Sequence, residues 1–96
     1  MIKIAELVNG KTICGDFDIT EIRQWKNVFV VNILQTKQGQ ANIGLNPLLM
    51  FGDFDHGIKI NENNILYTYY PDDSFKQAYN QQVTRIKAQR SGLILP

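Results

Sequence analysis

One proline, Pro71, divides this 96-residue chain into two stretches with different periodicities. Before it, apolar residues come in short runs broken by Asn, Gly and Asp. After it, Phe75, Ala78, Tyr79, Gln82, Val83 and Ile86 recur at helical spacing. Residues 1–71 therefore read as strands and turns, and residues 72–90 as one helix. Asp72 or Asp73 can cap its first turn, where an acidic group also suits the positive end of the helix dipole. Ser91 to Pro96 carry no pattern. No linker separates the two stretches, so the prediction is a single α+β domain, mainly β, spanning 1–96.

Within the first stretch, Asn9-Gly10 lies between Ile2–Val8 and Lys11–Phe17. Asn-Gly is the preferred two-residue hairpin turn because both central positions need positive φ. That turn sets Val8 opposite Lys11, Glu6 opposite Ile13, Ile4 opposite Gly15 and Ile2 opposite Phe17. Ile2, Ile4, Val8, Ile13 and Phe17 then share one face, and Lys3 meets Asp16 on the other. Gly15, in mid-strand, predicts a bend or a close backbone approach. Asn27 to Gln35 reads as a strand and Lys37 to Gln40 as a turn. Ala41 to Phe51 runs back, with an edge or bulge at Asn46-Pro47. Gly52 to Gly57 is a loop. Ile58 to Ile60 alternates, Asn61 to Asn64 turns, and Ile65 to Tyr70 forms the last strand.

Composition removes several function classes. Hydrophobic residues make up 44% and charged residues 20%, which is the range of a folded domain. No apolar run approaches the roughly 18–20 residues of a membrane span. The first residues lack a basic stretch ahead of a long apolar block, so a soluble, cytoplasmic protein without membrane contact is the expectation. A net charge of +1 gives no bulk argument for nucleic acid. One Cys and one His exclude an internal disulfide and a structural zinc cluster within one chain.

The local motifs are modest. Cys14 and His56 are the components of a thiol–imidazole pair, but Cys14 lies inside a strand, where small buried cysteines are common. Gly-Asp-Phe-Asp occurs at 15–18 and again at 52–55. Four carboxylates suit a hard cation, while the plainer reading turns each Phe inward and each Asp outward at a strand end. Neither segment is a complete ligand loop, and no catalytic residue, metal or cofactor is assigned. Trp25, Tyr67, Tyr69 and Tyr70 are candidates for stacking on single-stranded bases, and equally good strand residues. Lys76, Arg85, Lys87 and Arg90 suit either phosphate contact or a solvated helix face.

Two segments become informative together. Leu7 to Gly15 reads L-x-N-G-x-x-x-x-G and resembles the start of the first Sm motif. Ile60 to Tyr67, Ile-Asn-Glu-Asn-Asn-Ile-Leu-Tyr, resembles the second, whose usual form is I-R-G-x-x-I. The chain looks like a divergent Sm-like (LSm) protein. It is particularly similar to small Sm-like proteins of bacterial viruses, which also carry Asn-Pro mid-chain and a Pro-led helix after the last strand.

The resemblance implies a strongly bent five-stranded antiparallel open barrel over 1–71, with a C-terminal helix over 72–90. It also implies a homo-oligomeric ring, closed by the fourth strand of one copy pairing with the fifth of the next. Single-stranded RNA is the implied ligand, with Asn61, Asn63 and Asn64 at the pore and Tyr67 or Tyr69 available for stacking. Asn61-Glu62 stands where the family carries Arg-Gly, which removes a cation and adds a carboxylate. The alternative is a structural or protein-interaction oligomer that does not bind RNA. An enzyme is not expected.

Overall fold

The computed structural model describes residues 1–20, 23–35 and 41–94. Five strands form one antiparallel sheet: β1 (Ile2–Leu7), β2 (Thr12–Phe17), β3 (Trp25–Gln35), β4 (Ala41–Pro47) and β5 (Ile65–Tyr69). The order across the sheet is β4-β3-β2-β1-β5, so β4 and β5 are its two edges. A single helix, α1 (Asp73–Ile94), follows the last strand. This is the mainly β, α+β architecture that the change of period at Pro71 predicts. The turn expected at 37–40 lies outside the described residues.

The first hairpin differs from its expected register by one residue. Ile4 pairs with Cys14 and Ala5 with Ile13, where the two-residue turn would set Ile4 against Gly15. The turn closes over three residues instead. Gly10 N–H donates to Leu7 O at 3.0 Å, Leu7 N–H donates to Lys11 O at 2.9 Å, and Gly10 alone sits at φ +86°. A type I turn followed by a glycine bulge has this form, and it accepts Asn-Gly as readily as the two-residue turn does.

A one-residue slip sends side chains to the opposite face. Ile4 and Cys14 therefore lie in one core cluster while Ala5 and Ile13 lie in the other, and Val8 is exposed. The expected single face of Ile2, Ile4, Val8, Ile13 and Phe17 is split between the two clusters. Lys3 does not meet Asp16. Its ammonium sits over the Phe17 ring, 4.6 Å from the centroid, and Asp16 pairs with the Met1 amine.

Both faces of the sheet are buried at its centre, which is why apolar residues run consecutively in Ile13-Cys14 and Val28-Phe29. On one face Ile4, Cys14 and Phe29 pack with Phe54 and with Tyr79 of α1. On the other, Ala5, Ile13, Trp25 and Val28 are backed by Leu48, Ile58 and Ile60. Beyond Pro47 the chain leaves the sheet and returns at Ile58, which exchanges two backbone hydrogen bonds with Trp25 at 2.7 and 2.9 Å. The strand expected over Ala41–Phe51 thus ends at Pro47. The alternating Ile58–Ile60 segment makes only an isolated bridge.

The close backbone approach predicted at Gly15 is present. Between Cys14 and Asp16 the β2–β3 register shifts, with Asn27 and Val28 facing Gly15. Asn27 has φ +51°, a conformation asparagine tolerates better than most residues. A Cβ at Gly15 would lie 3.1 Å from Val28 Cγ2 and 3.2 Å from Lys26 O. This bulge turns both Trp25 and Val28 into the same core cluster.

The helix docks on the bulge. Asp72 Oδ1 accepts from Phe75 N–H at 2.8 Å, one of the two caps that the sequence offers. Phe75, Val83 and Ile86 pack against the first core cluster, and Tyr79 belongs to it. The Tyr79 hydroxyl donates to Asn27 O at 2.8 Å. The helix runs four residues past the expected end at Arg90, through Ser91–Ile94. Hydrogen bonds of the backbone carry it there without any apolar period in the sequence.

Candidate nucleic-acid interface

The turn between Ile60 and β5 is a single 3₁₀ turn, Glu62–Asn64. Asn61 caps it, with Oδ1 accepting from Asn63 N–H at 3.0 Å. Val8 N–H donates to Asn64 O at 2.8 Å, which pins this turn to the β1–β2 turn. The order of the two turns in sequence therefore becomes proximity in space. Asn61, Asn63 and Asn64 are all exposed.

Tyr67 and Tyr69 alternate along β5, so both rings project from one face. Their centroids are 6.0 Å apart and the planes meet at 31°. Tyr67 is 59% exposed and presents an open ring. The Tyr69 hydroxyl donates to Glu6 Oε1 at 3.3 Å, and Thr12 Oγ1 donates to the other carboxylate oxygen at 2.6 Å. Desolvation, followed by the Glu6 charge, pushes the Tyr69 phenol above its ordinary pKa. Tyr69 is thus partly engaged within the chain. Trp25 is no stacking platform. It is 2% exposed, because the Asn27 bulge turns it into the core, where it meets Phe17 at 5.0 Å.

A cation at this turn escapes a reading of the sequence. Arg23, in the β2–β3 connection, places Nη1 2.8 Å from Glu62 Oε1. Both side chains are largely exposed. Arg23 itself has φ +49°, rare for a non-glycine residue. Beside this pair opens a cavity of about 310 Å³, lined by Lys3, Arg23, Glu62, Tyr67 and Thr68 and walled by Phe17 and Trp25. Its lining takes Glu62 from the 3₁₀ turn and none of the three asparagines. Lys3 and Arg23 thus share this cavity, while the Tyr67 ring lies beside Tyr69 on the Ile4–Glu6 face, where Tyr69 borders a groove with Glu6 and Phe75. Thirty-nine residues separate Arg23 from Glu62, and no spacing rule links them.

The other candidate groups have structural partners. Cys14 is fully buried, and desolvation pushes its thiol up to about 12, so it is a poor nucleophile. His56 lies in an exposed loop, its backbone N–H donating to the Asp53 carbonyl at 3.1 Å. In the repeated Gly-Asp-Phe-Asp segments, both Phe side chains turn into the core clusters. Asp18 Oδ1 accepts from Thr20 N–H, and Asp55 accepts from Asn27 Nδ2 at 2.8 Å and pairs with Lys87 at 3.3 Å. Among the described residues no group of three or more His, Cys, Asp or Glu is placed to hold a metal ion. No described helix is long and apolar enough to cross a membrane. No protein-family model matches the chain, and no curated protein matches it.

Proposed function

We propose that this protein is an Sm-like, ring-forming homo-oligomer that binds single-stranded RNA at a degenerate pocket. The observation that carries the reading is the placement of β4 and β5 at opposite edges of one antiparallel sheet. Unpaired edges invite pairing with another chain. Here each is flanked by exposed apolar side chains. Ile33 and Ile43 pair across β3 and β4, with Ile33 73% exposed. On β5 the register shift at Leu66 turns that side chain out, 63% exposed, next to Tyr67 and Tyr69. A head-to-tail contact of unlike edges closes into a ring when its rotation divides the circle. That is the fourth-to-fifth strand pairing implied by the two Sm-like segments.

The RNA component is supported by the exposed Tyr67 ring, a stacking surface on β5, and by the two cations Lys3 and Arg23 that line one cavity. Asn61, Asn63 and Asn64 add amide groups at the adjacent turn. With Asn61-Glu62 in place of Arg-Gly, binding is weak and lacks uridine preference. The test is fluorescence anisotropy with U-rich and A-rich oligoribonucleotides at two salt concentrations, on protein of measured oligomeric mass. The reading expects weak, salt-sensitive binding of both. Tight, uridine-selective binding contradicts the degenerate pocket.

A second reading, an oligomer that serves as a structural or protein-interaction module without RNA, is favoured by the Arg23–Glu62 pair. That pair sets a carboxylate against the guanidinium that a phosphate would need. Absence of binding to either oligonucleotide selects it.

A further inference from the structure

We infer that Arg23 is the phosphate-binding cation of the 310 Å³ cavity, and that Glu62 is a resident competitor which an RNA phosphate displaces. The inference rests on the RNA reading and names the group that would carry it. The cavity and the backbone both point to Arg23. Arg23 lines the cavity together with Lys3, so two cations border one space. A volume near 310 Å³ lies at the small end of ligand pockets, which suits one nucleotide unit rather than a folded partner. Its backbone is held at φ +49°, which L-residues with long side chains avoid. Outliers of this kind cluster at active sites, ligand clamps and switch regions.

The ion pair explains why such a site is weak without being absent. Arg23 and Glu62 meet at 2.8 Å, yet their side chains remain 65% and 73% exposed. An exposed pair of this sort is worth no more than about fivefold in an equilibrium. A phosphate offers two oxygens to the planar guanidinium and carries its charge wherever the strand goes. Exchange of Glu62 for phosphate is therefore accessible, at a modest loss of affinity. Glu62 acts here as a tuning residue, and Arg23 as the group that touches the ligand.

The experiment is fluorescence anisotropy on the intact protein with the same U-rich and A-rich oligoribonucleotides, across a salt series. It compares wild type, Glu62→Gln, Arg23→Gln, Arg23→Lys and the double variant Arg23→Gln with Glu62→Gln. Oligomeric mass and circular dichroism are recorded for each. Glu62→Gln is expected to tighten binding by up to about fivefold. Arg23→Gln is expected to weaken it and to lower the slope of log K against log salt by about 0.7 for each lost single-strand phosphate contact. In its background Glu62→Gln should bring no gain. Arg23→Lys keeps the charge and the salt slope while losing the two-pronged contact, and it remains informative if Arg23→Gln folds poorly. Binding that is unchanged in affinity and slope by every Arg23 variant overturns this inference and leaves the RNA reading intact. No binding by wild type or by Glu62→Gln at low salt overturns both.

Discussion

Tyr79 joins three parts of the molecule, so its replacement tests how the helix is held. The ring is 3% exposed and meets Phe29 edge-on at 5.6 Å. Its hydroxyl donates to the carbonyl of Asn27 in the β3 bulge. Tyr79→Phe keeps the ring and removes one neutral hydrogen bond, a loss of about 1 kcal/mol. For a domain of this size that corresponds to a fall in Tm of about 4–8 °C. Tyr79→Ala also removes a buried aromatic ring, about 3–5 kcal/mol. Total stability for a domain is on the order of 5–15 kcal/mol, so this variant should be near its folding limit. Phe75, only half-buried on the same stripe, should cost less than Tyr79 when cut to Ala. The assay is urea unfolding followed by far-UV circular dichroism, at one fixed protein concentration because association would add to apparent stability. Equal, negligible shifts for Tyr79→Phe and Tyr79→Ala would refute the docked helix.

Stability should fall as pH rises from about 9 towards 12, because the unfolded chain loses the Cys14 proton near 9.0 while the folded chain keeps it to about 12. The slope is at most about 1.4 kcal/mol per pH unit for this one group, and Cys14→Ala should unfold with a visibly flatter dependence over that window in urea titrations. Gly15→Ala should lower the unfolding free energy by about 1–3 kcal/mol, since its Cβ would press on Val28, Lys26 O and the Trp25 ring at 3.1–3.2 Å; an unchanged urea midpoint would show that the bulge yields freely.

The legible parts of this fold were those set by local chemistry. Pro71 and Asp72 mark the helix start, and the stripe through Phe75, Tyr79, Val83 and Ile86 marks its buried face. The β-rich segments were visible for the same reason. Register was not, because Asn9-Gly10 fits two hairpin turns that differ by one residue, and the choice between them is made by the surrounding packing. Trp25 stayed a candidate for stacking as well as for a strand because nothing in the sequence reveals that Asn27 adopts positive φ and inserts an extra residue opposite Gly15. Of the candidate site, the 61–64 turn and the β5 tyrosines could be named from sequence. Arg23 could not, because its meeting with Glu62 depends on two loops brought together by the whole sheet.

The central claim is that the two open edges of the sheet are joined between copies. Multi-angle light scattering on the purified protein at micromolar concentration tests it most directly. The account predicts a particle whose mass is a whole multiple of 11.0 kDa, the resemblance placing the count at five to seven copies. It also predicts dissociation when a charge is set on the β5 edge by Leu66→Lys. A stable 11.0 kDa monomer for the wild type would contradict it.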